Sequence, residues 1–286
     1  METPSRDALQ EKYERLKDAL RQMGSALVAY SGGADSTFLM KVARDVLGNR
    51  AVAVLADSEI HPPSETEAAR ELARALGFRL IDIHTDELSN PAFARNDPDR
   101  CYHCKIELLR KLKQIAAEEG LGWVAHGANA DDLHDYRPGQ KAAEELAVRA
   151  PLQEAGLTKA EIRSLSKQLG LPTWDKASSA CLASRLPYGM QITPQALRQI
   201  DEAEKLLRSL GFQQVRVRHH GTVARIEIEA EELPRLLSPD LRKLVADRLK
   251  GLGYLYVTVD IEGYRTGSMN AVLQTQERHG EGPGER

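Results

Sequence analysis

Ala26-Leu27-Val28-Ala29-Tyr30-Ser31-Gly32-Gly33-Ala34-Asp35-Ser36 is the stretch whose reading decides the fold. Five apolar residues break abruptly into a glycine turn, and a helical pattern follows at once through Phe38, Leu39, Val42, Ala43, Val46 and Leu47. This is how a buried parallel strand hands over to a helix N-terminus. Two adjacent glycines permit positive φ and let backbone N–H groups approach an anion closely. The helix start adds unpaired N–H groups and the positive end of its dipole. Ser31 and Ser36 supply hydroxyls, and Asp35 supplies a carboxylate that can hold a metal-bound water. The chemistry predicted is a phosphate cradle. It does not end in Gly-Lys-Ser/Thr, so it lacks the lysine that a Walker loop places on the outer phosphates.

Outward from this turn, strands and helices alternate. Residues 6–23 read as an amphipathic helix, 51–56 as a second strand, 64–76 as a helix and 80–83 as a third strand. A polar loop is predicted over 85–100, a helix from Cys104 to Glu118, and a fourth strand over 123–127. The pattern predicts an α/β fold, a parallel sheet with helices on both faces. Ligands then belong at the carboxyl ends of the strands, where Ser31, Asp57-Ser58, His84-Thr85 and Gly127-Asn129 fall. Thr158-Lys159-Ala160-Glu161 reads as a capping box opening a helix that stops at Gly170.

Residues 172–190 are irregular and polar, and the domain junction is placed there. Beyond it, Thr193-Pro194 starts a helix, two alternating strands flank a predicted His219-His220-Gly221 turn, and a helix and last strand complete a smaller α+β domain. The expected division is 1–172, 173–273 and a disordered tail over 274–286.

With 286 residues, net charge of -3 and 5% aromatic residues, the chain has the composition of a soluble globular protein. That balance disfavours a nucleic-acid partner. No apolar run approaches membrane-span length, and the polar N-terminus is unlike a signal peptide, so a cytoplasmic protein without membrane association is expected. The three cysteines are then no disulfide framework.

Cys101-Tyr102-His103-Cys104 is a C-x-x-C, and Cys181 stands alone downstream. By itself the pair is compatible with a redox couple, half a zinc site or two ligands of an iron–sulfur cluster. Three thiolates on one cubane would leave the fourth iron open to sulfide. Asp131 and Asp132, with Asp35, are candidate ligands for Mg²⁺ on ATP phosphates. Arg216 and Arg218 alternate on one strand and share a sheet face, and Arg185 lies close to Cys181. These arginines could hold a mononucleotide phosphate, while Glu227 could orient one of them or bind metal.

The Ser31–Ser36 hexapeptide resembles the signature of the PP-loop ATP pyrophosphatases, the adenine nucleotide alpha hydrolase-like class of GMP synthetase, NAD synthetase and tRNA-thiolating enzymes. The resemblance implies ATP cleavage between the α- and β-phosphates, with Ser31, Gly32, Gly33, Asp35, Ser36, Asp57, Ser58 and Gly127 around the nucleotide. Together with Gly127 to Asp132, Asp135 to Gly139, Ala150-Pro151-Leu152, Lys159 to Arg163 and Ala180 to Arg185, the hexapeptide is similar to the LarE family over most of residues 10–270. LarE-like proteins are ATP-dependent sulfur transferases that mature the nickel-pincer cofactor of lactate racemase. The resemblance implies adenylylation of the carboxylates of pyridinium-3,5-biscarboxylic acid mononucleotide, then exchange of oxygen for sulfur, in a homo-oligomer. Two sulfur routes occur in the family. Cys181 gives up its own sulfur, or Cys101, Cys104 and Cys181 hold a [4Fe-4S] cluster charged from a sulfide source. Three thiols favour the cluster, with sacrifice of Cys181 as the alternative. A cluster-dependent tRNA-thiolating enzyme is the rival reading, disfavoured by the acidic balance.

Overall fold

The computed structural model describes residues 6–134, 138–177, 180–265 and 268–270, and the chain divides into two compact units, Met1–Ser179 and Ala180–Arg286. Asp135, Tyr136 and Arg137 of the resemblance motifs, and the tail expected over 274–286, lie outside the described residues.

The first unit runs α1 (Arg6–Met23), β1 (Ala26–Tyr30), α2 (Ala34–Leu47), β2 (Ala51–Asp57), α3 (Pro63–Ala75), β3 (Leu80–His84), α4 (Pro91–Ala94), α5 (Arg100–Glu118), β4 (Trp123–Ala125), α6 (Pro138–Glu145), α7 (Pro151–Glu154) and α8 (Lys159–Gln168). Its strands are all parallel, in the order β3-β2-β1-β4. The glycine turn therefore leaves a central strand. Alternation along β1 explains the unbroken apolar run. Ala26, Val28 and Tyr30 pack with Leu16 and Leu20 of α1, Phe38 of α2 and Ile162 of α8. Leu27 points to the opposite core, with Ile106, Leu109 and Leu112 of α5 and Ala142 of α6. Both faces are dry, and each fully buried large side chain contributes about 1.5–3 kcal/mol. At the head of α8, Thr158 and Glu161 form the capping box, and Lys12 of α1 reaches Glu161 at 2.7 Å.

Three expectations are corrected. The helix expected from Cys104 begins at Arg100, because buried Arg100 is anchored to Asn96 at 2.6 Å, so both cysteines sit on α5. The polar stretch before it is not all loop. Asn90 caps α4 there by accepting the Ala92 N–H at 2.8 Å. His219 and His220 are strand residues, since the chain reverses at Gly221, whose φ of 66° allows a tight turn.

The second unit consists of α9 (Pro194–Ser209), β5 (Val215–His220), β6 (Val223–Ile228), α10 (Leu233–Leu236), α11 (Pro239–Gly251) and β7 (Tyr256–Val259). β5 and β6 are antiparallel, and β7 adds parallel to β6. Val215, Val217, Ala224, Ile226 and Ile228 face Ala203 and Leu207 of α9, Phe212 and Val245 of α11. No helix among the described residues is long and apolar enough to cross a membrane.

Phe212 is completely buried in that small core. Phe212→Ala should destabilise the second unit by about 3–5 kcal/mol, read as a circular-dichroism transition at lower urea concentration. An unchanged transition would show that Phe212 is not part of its cooperative core.

Candidate active site

The loop between β1 and α2 is shaped by contacts that leave little room. Gly32 adopts φ 67°, and a Cβ there would lie 2.6 Å from the Ala69 Cβ of α3. Only glycine satisfies both conditions. Across the loop, a Cβ on Gly127 would come within 3.1 Å of the Ser36 amide nitrogen, so the end of β4 packs directly on the first turn of α2. Ser36 Oγ lies 3.1 Å from Ser31 Oγ and accepts the Ser31 N–H at 3.2 Å. The two hydroxyls clasp the turn. The N-cap of α2 is Gly33, which offers no side-chain acceptor. The first-turn N–H groups of this 14-residue helix are thus left for an anion.

Behind the cradle lies a carboxylate network. Asp35 is anchored through one oxygen, Oδ2, which accepts from the Asn129 side chain at 3.2 Å; its Oδ1 is buried without a partner. Burial pushes the Asp35 carboxyl above its ordinary value; Lys159 and the Asn129 hydrogen bond oppose this, and Asp132 reinforces it. Asn129 also accepts the Asp131 N–H at 3.0 Å and donates its own N–H to Asp132 at 2.9 Å. It gathers all three aspartates, a role that no sequence motif assigns to it. Asp131 in turn accepts the Lys159 N–H at 2.8 Å. The orphaned, buried Asp35 oxygen suits the Mg²⁺ that accompanies ATP, whereas Asp131 and Asp132 each already accept a backbone N–H. His126, buried at the end of β4, is pushed down to about 3 by burial and Lys105 and is neutral at physiological pH.

At the end of β2, Asp57 is tied to Arg70 at 2.9 Å, and Arg70 also reaches Asp82 at 2.7 Å. Ser58 is buried, with its Oγ 3.4 Å from His61 Nδ1. Cys101 and Cys104 stand one turn apart on α5, the first exposed and the second half-buried. Cys181 belongs to the second unit, where it precedes the 3₁₀ turn Leu182–Arg185. Among the described residues, no three His, Cys, Asp or Glu side chains gather as a metal-binding set.

In the second unit two expected roles change. Arg185 is not free for a phosphate. Buried, it pairs with Glu204 through Nε at 2.8 Å and Nη2 at 3.0 Å, and Nη1 donates to the carbonyls of Ala180 and Cys181. The arginine thereby fixes the backbone turn that carries Cys181. Glu227, a candidate magnesium ligand, is instead enclosed by Arg218 at 2.6 Å and Arg225 at 3.0 Å, with the Ser268 hydroxyl alongside. A carboxylate already neutralised by two guanidinium groups is a poor cation ligand. Arg216 lies on the same buried face, stacked 5.4 Å from the Tyr264 ring centroid. Arg216 and Arg218 do share one side of β5, as the alternation requires, because Val215 and Val217 face the core.

A central parallel strand ending in this uncapped glycine cradle is the architecture of PP-loop nucleotide enzymes. Comparison agrees: one subunit of the glutamine-hydrolysing GMP synthase of Archaeoglobus fulgidus is 26% identical over 70% of this chain and 68% of its own length. No protein-family model matches the chain. A pyridinium-3,5-bisthiocarboxylic acid mononucleotide synthase from Lactiplantibacillus plantarum is 41% identical over 92% of the chain and 95% of its own length. An uncharacterised protein of Synechocystis is 43% identical over 93% of the chain and 99% of its own length. The chain belongs to the family of that synthase.

Asp35 gives a prediction with a defined sign. Its folded pKa lies above the unfolded value, so the folded state binds the proton more tightly and stability falls as pH rises through that window. Asp35→Asn should remove the Asp35 contribution to this slope and raise ligand-free stability at neutral pH relative to acidic pH, because the amide has no charge for burial to penalise. Thermal unfolding across the acidic range measures it; an unchanged pH slope would contradict the assignment.

Proposed function

We propose that the chain is an ATP-dependent sulfur transferase that converts the carboxylates of pyridinium-3,5-biscarboxylic acid mononucleotide to thiocarboxylates during synthesis of the nickel-pincer cofactor of lactate racemase. The observation that carries the reading is the relationship to the synthase over nearly the whole chain, with the glycine cradle intact. In this reading the outer phosphates of ATP rest on the N–H groups of Ser31–Ser36, with Asp57, Ser58 and Gly127 bordering the nucleotide. Asp35, linked to Asp131 and Asp132 through Asn129, would hold Mg²⁺, which neutralises phosphate charge.

Carboxylate oxygen is a very poor leaving group, whereas AMP is a good one. A substrate carboxylate oxygen therefore attacks the α-phosphorus, the bond to the bridging oxygen breaks, and pyrophosphate departs. Amide donors fixed before the reaction stabilise that departing charge without reorganising. Arg216 would hold the substrate phosphate, with Arg218, held by Glu227, supporting the same strand face, and Arg185 serves the site by fixing the Cys181 turn. Sulfur then attacks the acyl carbon and AMP leaves. A [4Fe-4S] cluster held by Cys101, Cys104 and Cys181 would supply this sulfur as bound sulfide, renewed from a sulfide source. The second reading is sacrifice of the Cys181 sulfur, for which the same thiol at the head of the Leu182–Arg185 turn would be the donor.

Incubating the chain with ATP, Mg²⁺, the biscarboxylic mononucleotide and sulfide should yield AMP, pyrophosphate and a thiocarboxylated product. Cys181→Ala should abolish thiolation while substrate-dependent pyrophosphate release continues. Thiolation by that variant would remove Cys181 from the route. Cys101→Ala or Cys104→Ala should stop all product formation on the cluster route. A single surviving round, leaving dehydroalanine at position 181 by mass spectrometry, would establish the sacrificial route instead.

A further inference from the structure

The glycine cradle lacks the lysine of a Walker loop, yet the structure brings one to it from 144 positions away. Lys176 Nζ donates to the Gly32 carbonyl at 3.2 Å and pairs with Glu65 Oε2 at 2.8 Å. Glu65 lies in the first turn of α3, the helix whose Ala69 presses on Gly32. The left-handed turn at Gly32 and the ammonium thus meet at one peptide.

The lysine is held by its backbone. The Lys176 N–H donates to the Thr173 carbonyl at 3.1 Å, and Arg163 of α8 donates to the Lys176 carbonyl at 3.2 Å. The same helix supplies Lys159, which with Arg163 favours the ionised form of Asp35. The Lys159–Arg163 motif, which local sequence explains only as a helix start, is thus part of a cationic frame around the cradle. Within this frame the ammonium contacts the loop itself. An ammonium has three N–H donors, and the Gly32 carbonyl and Glu65 together leave one for a phosphate oxygen. The partnership with Glu65 does not account for the arrangement, because a pair exposed to about the extent of this one (27% and 37%) contributes little to stability.

We propose that Lys176 is the cation of the pyrophosphate subsite, contacting the β- or γ-phosphate of ATP while the amides of α2 hold the other oxygens. The inference rests on the nucleotide reading above and adds to it the residue that separates ATP from AMP, since AMP carries no outer phosphate. Backbone amides alone bind any phosphate; a lysine beside Gly32 adds a full charge where the leaving group gathers its own.

The test uses the full-length chain and calorimetric titration with α,β-methylene-ATP and with AMP. Lys176→Met retains the apolar stem and removes the charge. It should weaken the ATP analogue by about tenfold or more, the worth of a charge-assisted hydrogen bond, and leave AMP binding unchanged. Lys176→Arg should recover most of the loss. Equal binding of the analogue by Lys176→Met and the parent, or equal weakening of analogue and AMP, would overturn the proposal. Should Lys176→Met unfold, Glu65→Gln decides: releasing the ammonium should keep or tighten analogue binding, and weaker binding would overturn the assignment. A parent protein that binds neither nucleotide would instead overturn the nucleotide reading itself.

Discussion

The close approach of α3 to the left-handed peptide at Gly32 is the constraint on which the first unit depends. No side chain fits there, because a methyl group would penetrate Ala69 and the φ of 67° disfavours every residue with a Cβ. A second glycine, Gly127, lets the end of β4 rest on the amides of Ser36 from the other side. Between these two contacts the start of α2 is immobilised with its N–H groups uncapped. The frame is apolar and tightly packed, and it leaves those amides directed at the ligand side of the sheet.

The two units treat charge in opposite ways. In the second, burial alone would raise the Glu204 carboxyl, but Arg185 and Arg208 outweigh it and hold the group below its ordinary value. Glu227 is similarly enclosed by two guanidinium groups. These pairs are satisfied and act as scaffold: they fix β5, β6 and the turn at Cys181. In the first unit, Asp35 keeps a buried oxygen with no partner and is raised by burial. A protein tolerates such an atom where a cation or proton comes and goes, so the orphan marks the site more sharply than any cavity. The satisfied arginines mark support for a site.

Lys176 joins these two themes. Its segment is tied down by Thr173 and Arg163, and its charge is directed at the Gly32 carbonyl of the glycine turn. Arg163, which fixes that segment, also biases the ionisation of Asp35, as does Lys159 one turn earlier. Cation and carboxylate are therefore set by the same helix, α8, whose capping box at Thr158 fixes where its first turn begins.

Local pattern alone determined the parallel sheet, the glycine cradle, the cap at Thr158 and the shared face of Arg216 and Arg218, since each depends on periodicity, glycine or neighbours a few positions apart. The start of α5 and the strand state of His219 and His220 escaped it, because Arg100 is fixed by a buried contact and the turn by the φ of Gly221. Tertiary structure decided what the charged groups do. Arg185 and Glu227 have the residue types of a phosphate ligand and a metal ligand, and they become scaffold because Glu204, Arg218 and Arg225 reach them first. Asn129 lies in a motif that gives it no role and Lys176 lies in none, and they matter because folding places them within hydrogen-bond reach of Asp35 and Gly32. The physical reason is that backbone geometry is written in short-range sequence, whereas the partner of a charge is whichever opposite group the chain brings within about 4 Å.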